Sequence, residues 1–355
     1  MEQNKTMNKP VFSRKDFTLC DVPVPKGYPQ SQTHSGICLY NGEYYLTTSP
    51  YPERQYTRWQ FYPRYLLRLL TNERLFPDGD CYENPCLYVG EKMSEKDIPS
   101  RFRPILPFPL ASTPKRKYGK HAYNSDPDIF IDGDDIYILN RTVYRKKEKG
   151  QHHTELFLLR GTLASSGIKL GQFECVKEWD SDCCVSPCLT KYKDQYWFMF
   201  LDTQSVIDSE TFNGLYIQQL NDINDLRSNH QYRKVDVKGH DFLPWHMSVF
   251  PHKNDLYAII ACVRRGDKSR HIWQMLGRFS TDLDILTIFP TPLTDYNSYR
   301  GAACVRSDGT FILYTTTVFE DIAGSTAVDG RNVIVAHKPF ESILREVSSK
   351  EYKLS

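Results

Sequence analysis

The sequence has no uninterrupted apolar run of 18 residues, the length at which a membrane-spanning helix is expected. Residues Met1 to Phe17 are polar and lack the apolar segment of a secretory signal. Neither sign of charge predominates, because the chain has 45 Lys and Arg and 43 Asp and Glu, a formal net charge of +2. We therefore expect neither a membrane nor a nucleic-acid partner, and a cytoplasmic or virion-associated location.

The ten cysteines do not follow a metal-binding pattern. Cys183, Cys184 and Cys188 are close together, but no second Cys/His pair with zinc-like spacing lies near them. Without an export signal, the cysteines are interpreted as reduced, small apolar residues. The acidic run Asp132–Asp135 is typical of a hairpin turn rather than of a calcium site. We expect no cofactor and no metal.

What the sequence does contain is a repeated pattern: a small or polar start, an apolar strand, a tight polar turn and an aromatic strand. Each copy has the signature of a β-hairpin. The copies start near residues 34, 126, 186, 246 and 300, and their apolar anchors are Ile37, Ile129, Leu189, Val249 and Val305. The spacings are 92, 60, 60 and 56 residues. A period of about 60 residues accommodates one four-stranded propeller blade.

The pattern predicts an all-β protein, a single five-bladed β-propeller over residues 1–355 with four-stranded antiparallel blades around a central channel. Phe17–Val24 is expected to add the outermost strand of the fifth blade, and the tail 340–355 a short helix. Third strands are expected at Thr154–Arg160, Gly214–Gln219, Ile272–Phe279 and Asn332–Ala336.

A proline-rich segment, about 80–122, lengthens the first interval and is interpreted as a loop insertion. Its basic run Lys115-Arg116-Lys117 is interpreted as solvated surface. A lid that contacts an anion is the alternative.

The innermost strands of a propeller start around one mouth of the channel, so residues far apart in the sequence converge there. A core does not require polar residues at five equivalent positions, and we therefore predict a ligand site. The candidate catalytic residues are Asp126 and Asp182. The candidate substrate-binding residues are His34, Asp128, Trp245, His246, Tyr299 and Arg300, and Ser186 stands at the remaining blade start.

Each of these residues also has an ordinary structural interpretation. Asp126 could turn the chain before Pro127, and Arg300 could satisfy carbonyl groups at the channel mouth. The two histidines could be buried hydrogen-bonding partners, and Trp245 could pack in the core. A tryptophan beside a channel is equally a natural platform for the face of a sugar.

The blade starts Ser125–Asp128, Ser186–Leu189, Pro244–His246 and Tyr299–Gly301 resemble those of five-bladed propeller glycoside hydrolases, with family 43 the closest type. The resemblance covers about His34 to Ala336. It implies an inverting hydrolase with an acidic base, an acidic proton donor and a third acid that tunes the donor. Asp126 matches the tuning position. His34 and Ser186 stand where the base and the donor are expected, so the carboxylate set is incomplete.

Two functions therefore stay open. One is a glycan-active or glycan-binding propeller, acting by hydrolysis or, like the phosphorylases of family 130, through phosphate held by His34, His246 and Arg300. The alternative is a catalytically inactive propeller that serves as a binding or structural subunit of a larger assembly, for example a phage particle. A carbohydrate ligand is expected in the first case and a protein assembly partner in the second.

Overall fold

A computed structural model describes most of the chain. The described residues are 9–26, 28, 31–50, 83–92, 94, 96–115, 117–146, 151–164, 167–203, 212–228, 231–239, 242–264, 271–294, 297–318 and 331–348. They form 21 strands and one α-helix, α1 (Phe340–Ser348), with 3-10 turns at Arg14–Asp16 and Ile223–Leu226. Among these residues, no helix is long and apolar enough to cross a membrane.

The strands follow the chain as a series of hairpins. The first part holds β1 (Thr18–Leu19), β2 (Gln32–Tyr40), β3 (Glu43–Pro50), β4 (Cys86–Gly90) and β5 (Phe102–Pro104). Next come β6 (Gly119–Asp132), β7 (Asp135–Lys146), β8 (His152–Ala164), β9 (Gly167–Leu170) and β10 (Glu174–Trp179). The middle holds β11 (Val185–Tyr192), β12 (Gln195–Thr203), β13 (Phe212–Leu220) and β14 (Arg233–Lys238). The last part holds β15 (Phe242–His252), β16 (Asp255–Arg264), β17 (Ile272–Phe279), β18 (Ile285–Ile288), β19 (Ser298–Val305), β20 (Thr310–Val318) and β21 (Arg331–Pro339).

These strands form four hydrogen-bonded sheets. Their orders are β2-β3-β4-β5, β6-β7-β8-β10 with β9 beside β8, an eight-stranded sheet from β11 to β18, and β19-β20-β21-β1. The eight-stranded sheet consists of two antiparallel halves, β11–β14 and β15–β18, joined by the parallel pair β14 and β18. The inner strands contact one another in the circular order β2, β6, β11, β15, β19 and back to β2. The all-β architecture is therefore propeller-like.

Each inner strand has an irregularity in its pairing at the predicted blade start. The pairing registers shift between Thr33 and Gly36, Ser125 and Asp128, Val185 and Cys188, Pro244 and His246, and Ser298 and Gly301. At three of these places a non-glycine residue has a positive φ: 56° at His34, 54° at Asp126 and 51° at Ser186. Such bulges bend a strand and re-aim side chains, often beside functional sites. The blade-start residues are thus redirected in the same way in successive sheets.

Several predicted elements are confirmed. The four predicted third strands fall within β8, β13, β17 and β21. β1 pairs antiparallel with β21, so the N-terminal segment contributes the outer strand of the last sheet. The tail forms α1, whose Phe340, Ile343 and Val347 are buried in one cluster with Phe12 and Phe311.

The proline-rich segment is more ordered than its composition suggests. β4 and β5, the third and fourth strands of the first sheet, lie within residues 80–122. In the basic run, Lys115 is exposed and Nζ of Lys117 lies 2.6 Å from Oε1 of Glu155, while Arg116 lies outside the described residues. These contacts favour the interpretation of the run as surface.

Two sequence-based interpretations of single residues also have a structural counterpart. Asp132 closes the turn between β6 and β7 and accepts hydrogen bonds from Lys191 and Tyr196, which accounts for an acidic side chain there. Cys183 is buried, and burial raises the pKa of its thiol to about 12, so it behaves as a small apolar residue.

Candidate functional site

Asp126 is the centre of a buried ionic network that connects several of the inner strands. Its side chain has no solvent exposure, yet two histidines and an arginine surround it. Oδ1 lies 2.8 Å from Nδ1 of His34 and 3.2 Å from Nδ1 of His246, and Oδ2 lies 2.7 Å from Nε of Arg141. These contacts are ion pairs by distance rather than aligned hydrogen bonds. Burial favours the neutral acid, but the three neighbours hold the pKa of Asp126 well below its usual range.

The two histidines share this carboxylate, but their pKa values shift in opposite directions. Their ring centroids are 5.0 Å apart, so two charged imidazoles would repel each other. Burial lowers the pKa of His246 to about 4. Burial opposes charge on His34 as well, but Asp126 and Glu83 raise its pKa. The charged imidazole is therefore that of His34.

Ser186, His246 and Asp126 do not form a nucleophilic triad. Oγ of Ser186 lies 2.9 Å from Nδ1 of His246, the same nitrogen that faces Asp126. A triad needs the serine and the carboxylate on opposite nitrogens of the imidazole. Ser186 therefore anchors the ring.

Glu83 supplies a carboxylate that the sequence analysis missed. It lies just before β4, with φ of 45° and 9% of its surface exposed. Its Oε2 lies 3.1 Å from Nε2 of His34 and accepts a hydrogen bond from Oγ of Ser125 at 2.5 Å. His34 thus stands between two carboxylates. Glu83 belongs to no copy of the repeat, so no periodic signal could have pointed to it.

Asp182, in the turn between β10 and β11, joins the same network through Arg141. Nη1 of Arg141 lies 3.2 Å from Oδ1 of Asp182 and donates to the carbonyl oxygen of Cys183 at 3.2 Å. The Asp182 side chain is 25% exposed, whereas Arg141 is buried. Asp182 therefore reaches solvent while Asp126 does not. Arg141 was also missed, because it lies on the second strand of its sheet and not at a blade start.

Arg300 and Asp128 form a second buried ion pair. Arg300 has no solvent exposure, and its Nη2 lies 3.1 Å from Oδ1 of Asp128. Its other nitrogens donate to the carbonyl oxygens of Pro127 at 2.8 Å and Met247 at 3.2 Å. Burial raises the pKa of Asp128 to about 6, in spite of the arginine. Arg300 thus connects β19 to β6 and β15, which agrees with the structural interpretation that it satisfies carbonyl groups.

Trp245 and Tyr299 form an aromatic edge beside the histidines. Their ring centroids are 5.1 Å apart, and Tyr299 lies 4.8 Å from His246 and 5.1 Å from His34. Trp245 is partly exposed. All the predicted site residues are therefore near the predicted blade starts, but His34, Asp126, Asp128, His246, Tyr299 and Arg300 are buried, whereas Asp182 and Trp245 are partly exposed.

His34, Asp126 and His246 offer ligand atoms that lie within 4.8 Å of one another, so this group is a candidate metal site near the inner strands. Their separations of 2.8 and 3.2 Å are those of direct ion pairs. Arg141 already neutralises the carboxylate from its other side. The residues therefore fit a self-contained ionic network better than a metal centre.

Solved structures with a similar fold include several glycoside hydrolases. A xylan β-1,4-xylosidase from Bacillus halodurans C-125 has a TM-score of 0.59 at 12% identity, over 89% of this chain and 54% of that one. This chain thus spans about half the length of that protein. A family 43 β-xylosidase/α-arabinofuranosidase from a compost microbial metagenome, in complex with xylotriose, has a TM-score of 0.52 at 12% identity, over 89% and 93%.

A family 117 glycoside hydrolase from the marine bacterium Zobellia galactanivorans has a TM-score of 0.51 at 13% identity, over 91% of this chain and 90% of that one. The chain has the fold of these glycoside hydrolases. No protein-family model matches the sequence, and no curated protein matches it either. The likeness therefore concerns the fold.

Proposed function

We propose that the protein is a five-bladed propeller that binds a carbohydrate at the mouth formed by Glu83, Asp182, Trp245 and Tyr299, and cleaves a glycosidic bond there. The five blades are the first, second and last sheets and the two halves of the eight-stranded sheet. The closed circle of five inner strands supports this count. The shared fold with xylosidases and with a family 117 hydrolase supports a carbohydrate substrate.

The observation that carries the proposal is the convergence of three carboxylates. Glycosidic cleavage by inversion uses one carboxylic acid to protonate the leaving oxygen and one carboxylate to activate water. Asp126 is wholly buried, whereas the side chains of Glu83 and Asp182 are 12% and 25% exposed and lie on opposite branches of the network around Asp126. They are the candidates for these two roles.

Asp126 acts in this proposal through its neighbours. It is wholly buried and holds both His34 and Arg141, which in turn contact Glu83 and Asp182. This arrangement fits the tuning position that the family resemblance implies for Asp126. A buried anion that orients two cationic groups would set the charge and direction of both accessible carboxylates.

Phosphorolysis is less well supported. The groups that would hold phosphate, His34, His246 and Arg300, are at most 2% exposed. Arg300 is fully engaged with Asp128 and two carbonyl oxygens. An incoming phosphate would have to break these buried contacts, so hydrolysis is the preferred reaction.

The experiment is product release from a panel of plant, microbial and host glycans, with and without phosphate. We expect release by the wild type without phosphate, and a loss of at least 100-fold in Asp182→Asn and in Glu83→Gln, because each removes an acid–base group. The matched control is Asp194→Asn, an exposed aspartate in the turn between β11 and β12, whose activity should stay at the wild-type level.

Release that requires phosphate would instead make the protein a phosphorylase. Release unaffected by either variant would place the chemistry elsewhere. No release from any glycan would favour the binding or assembly subunit.

A further inference from the structure

A second cluster of ionisable residues lies on the second sheet, apart from the channel mouth. His153 and Glu155 are two residues apart on β8, so their side chains share one face of the sheet. Glu178 on β10 is paired directly with Glu155. Two carboxylates opposite each other on adjacent strands repel, so a cation between them would stabilise this face.

The spacing within the cluster suits a metal ion. Nε2 of His153 lies 3.7 Å from Oε1 of Glu155 and 3.5 Å from Oε2 of Glu178, and the three atoms lie within 4.8 Å of one another. Hydrogen bonds between such groups are shorter, about 2.7–3.2 Å. A tetrahedral ion bound at about 2.0–2.1 Å separates its ligand atoms by about 3.3–3.4 Å. The two distances from Nε2 of His153 to the glutamate oxygens are therefore longer than hydrogen bonds and approach the separation of two ligand atoms around a tetrahedral ion.

The orientation of His153 supports the same conclusion. Its Nδ1 lies 2.9 Å from Oδ1 of Asp180, which follows β10. A carboxylate on one ring nitrogen fixes the tautomer and directs the lone pair of the other nitrogen outward, as in carboxylate–histidine–metal arrangements. Here that nitrogen, Nε2, faces the two glutamates and the hydroxyl of Tyr118 at 3.3 Å. The His153 side chain is 8% exposed, so the ring is held in place.

Lysine side chains now supply the positive charge. Nζ of Lys117 lies 2.6 Å from Oε1 of Glu155, and Nζ of Lys146 lies 2.9 Å from Asp180. The other oxygen of Glu155 accepts a hydrogen bond from Tyr144 at 2.8 Å. The Lys117 side chain is 54% exposed and has a flexible aliphatic stem. A divalent ion could therefore replace its ammonium group at the cost of the Lys117–Glu155 ion pair.

We propose that His153, Glu155 and Glu178 bind a divalent transition-metal ion of the zinc class, with Asp180 orienting the histidine and water completing the coordination. One imidazole with two carboxylates suits borderline ions such as Zn²⁺ better than Mg²⁺, which prefers oxygen ligands alone. The site is independent of the function proposed above.

The test is titration of the full chain with Zn²⁺, with Co²⁺ as the spectroscopic probe. We expect one site per chain, at least tenfold weaker binding in Glu178→Gln, and about tenfold weaker binding in Asp180→Asn because the histidine loses its orienting partner. Lys117→Met should bind more tightly than the wild type, since the competing cation is gone. Glu174→Gln, an exposed glutamate on the same strand, is the control and should bind as the wild type does.

The Co²⁺ spectrum separates this site from the cysteines. Binding through nitrogen and oxygen gives no thiolate charge-transfer band, whereas a cysteine site would show one. The proposal is overturned by such a band, by the absence of binding at millimolar Zn²⁺, or by equal affinity in the wild type and Glu178→Gln.

Discussion

Nδ1 of His34 lies 2.8 Å from Oδ1 of Asp126, and the two side chains are 1% and 0% exposed. The two residues are 92 positions apart in the sequence and lie on the inner strands β2 and β6. Charges removed from water to this extent are tolerated when they are paired, and removal of one partner leaves the other uncompensated. The network around Asp126 is therefore a structural necessity as well as the support of the proposed site.

Asp126→Asn should lower the free energy of unfolding by about 3–5 kcal/mol, because it leaves the buried charges of Arg141 and His34 without their common partner. Urea denaturation at pH 7 measures this change. Glu341→Gln, which removes an exposed partner of Lys253, is the control and should leave the denaturation midpoint unchanged. A loss below about 1 kcal/mol in Asp126→Asn would show that the buried network is not ionic.

The depressed pKa of His246 makes stability fall in acid. The folded value is about 4, and the unfolded value is about 6.5. Below pH 6.5 the unfolded chain takes up a proton that the folded protein refuses until about pH 4, so the stabilisation is complete above pH 6.5 and is lost as the pH falls towards 4.

Between pH 7 and pH 4.5 this single group should cost about 2 kcal/mol of stability. His246→Gln removes the titration but keeps a polar group beside Ser186, so its stability should decline less over the same range. Denaturation curves at pH 7, 5.5 and 4.5 measure the difference. Parallel declines in the two proteins would mean that His246 is not held neutral.

Arg300 and Asp128 should behave as one unit. Arg300→Met leaves Asp128 buried without its cation, and we expect a loss of about 3–5 kcal/mol in the free energy of unfolding. Asp128→Asn added to that variant removes the unpaired acid and should restore part of the loss. A double variant that is less stable than the sum of the two single changes would contradict the pairing.

The outer strand β1 and the terminal helix were predicted from short local runs outside the repeat. The repeat itself was sufficient to predict the hairpins, because turn residues and strand periodicity are local signals. It also predicted which residues gather at the inner-strand starts. It could not show which of them are buried. Asp126 and Asp182 were both plausible acids in the sequence, but Asp126 lies within the inner strand β6 and is internal, whereas Asp182 lies in the turn before β11 and is accessible.

Glu83 illustrates the other limit. It lies at the end of the long interval between β3 and β4, two residues before Pro85, and has no counterpart in the other repeats. Its approach to His34 depends on a positive φ and on long-range packing, which no local pattern encodes. The bulges at His34, Asp126 and Ser186 were likewise invisible, since none of these residues is a glycine that would mark a left-handed backbone.

The most direct test of the account is carbohydrate binding at the aromatic edge of the mouth. Binding of a glycan array, followed by titration with the strongest ligand, should show affinity in the wild type that falls about five- to tenfold in Trp245→Ala, because the sugar face loses its aromatic platform. Trp197→Ala is the matched control, since Trp197 is also partly buried but packs in another cluster. The account is contradicted if no glycan binds, or if Trp245→Ala binds as tightly as the wild type.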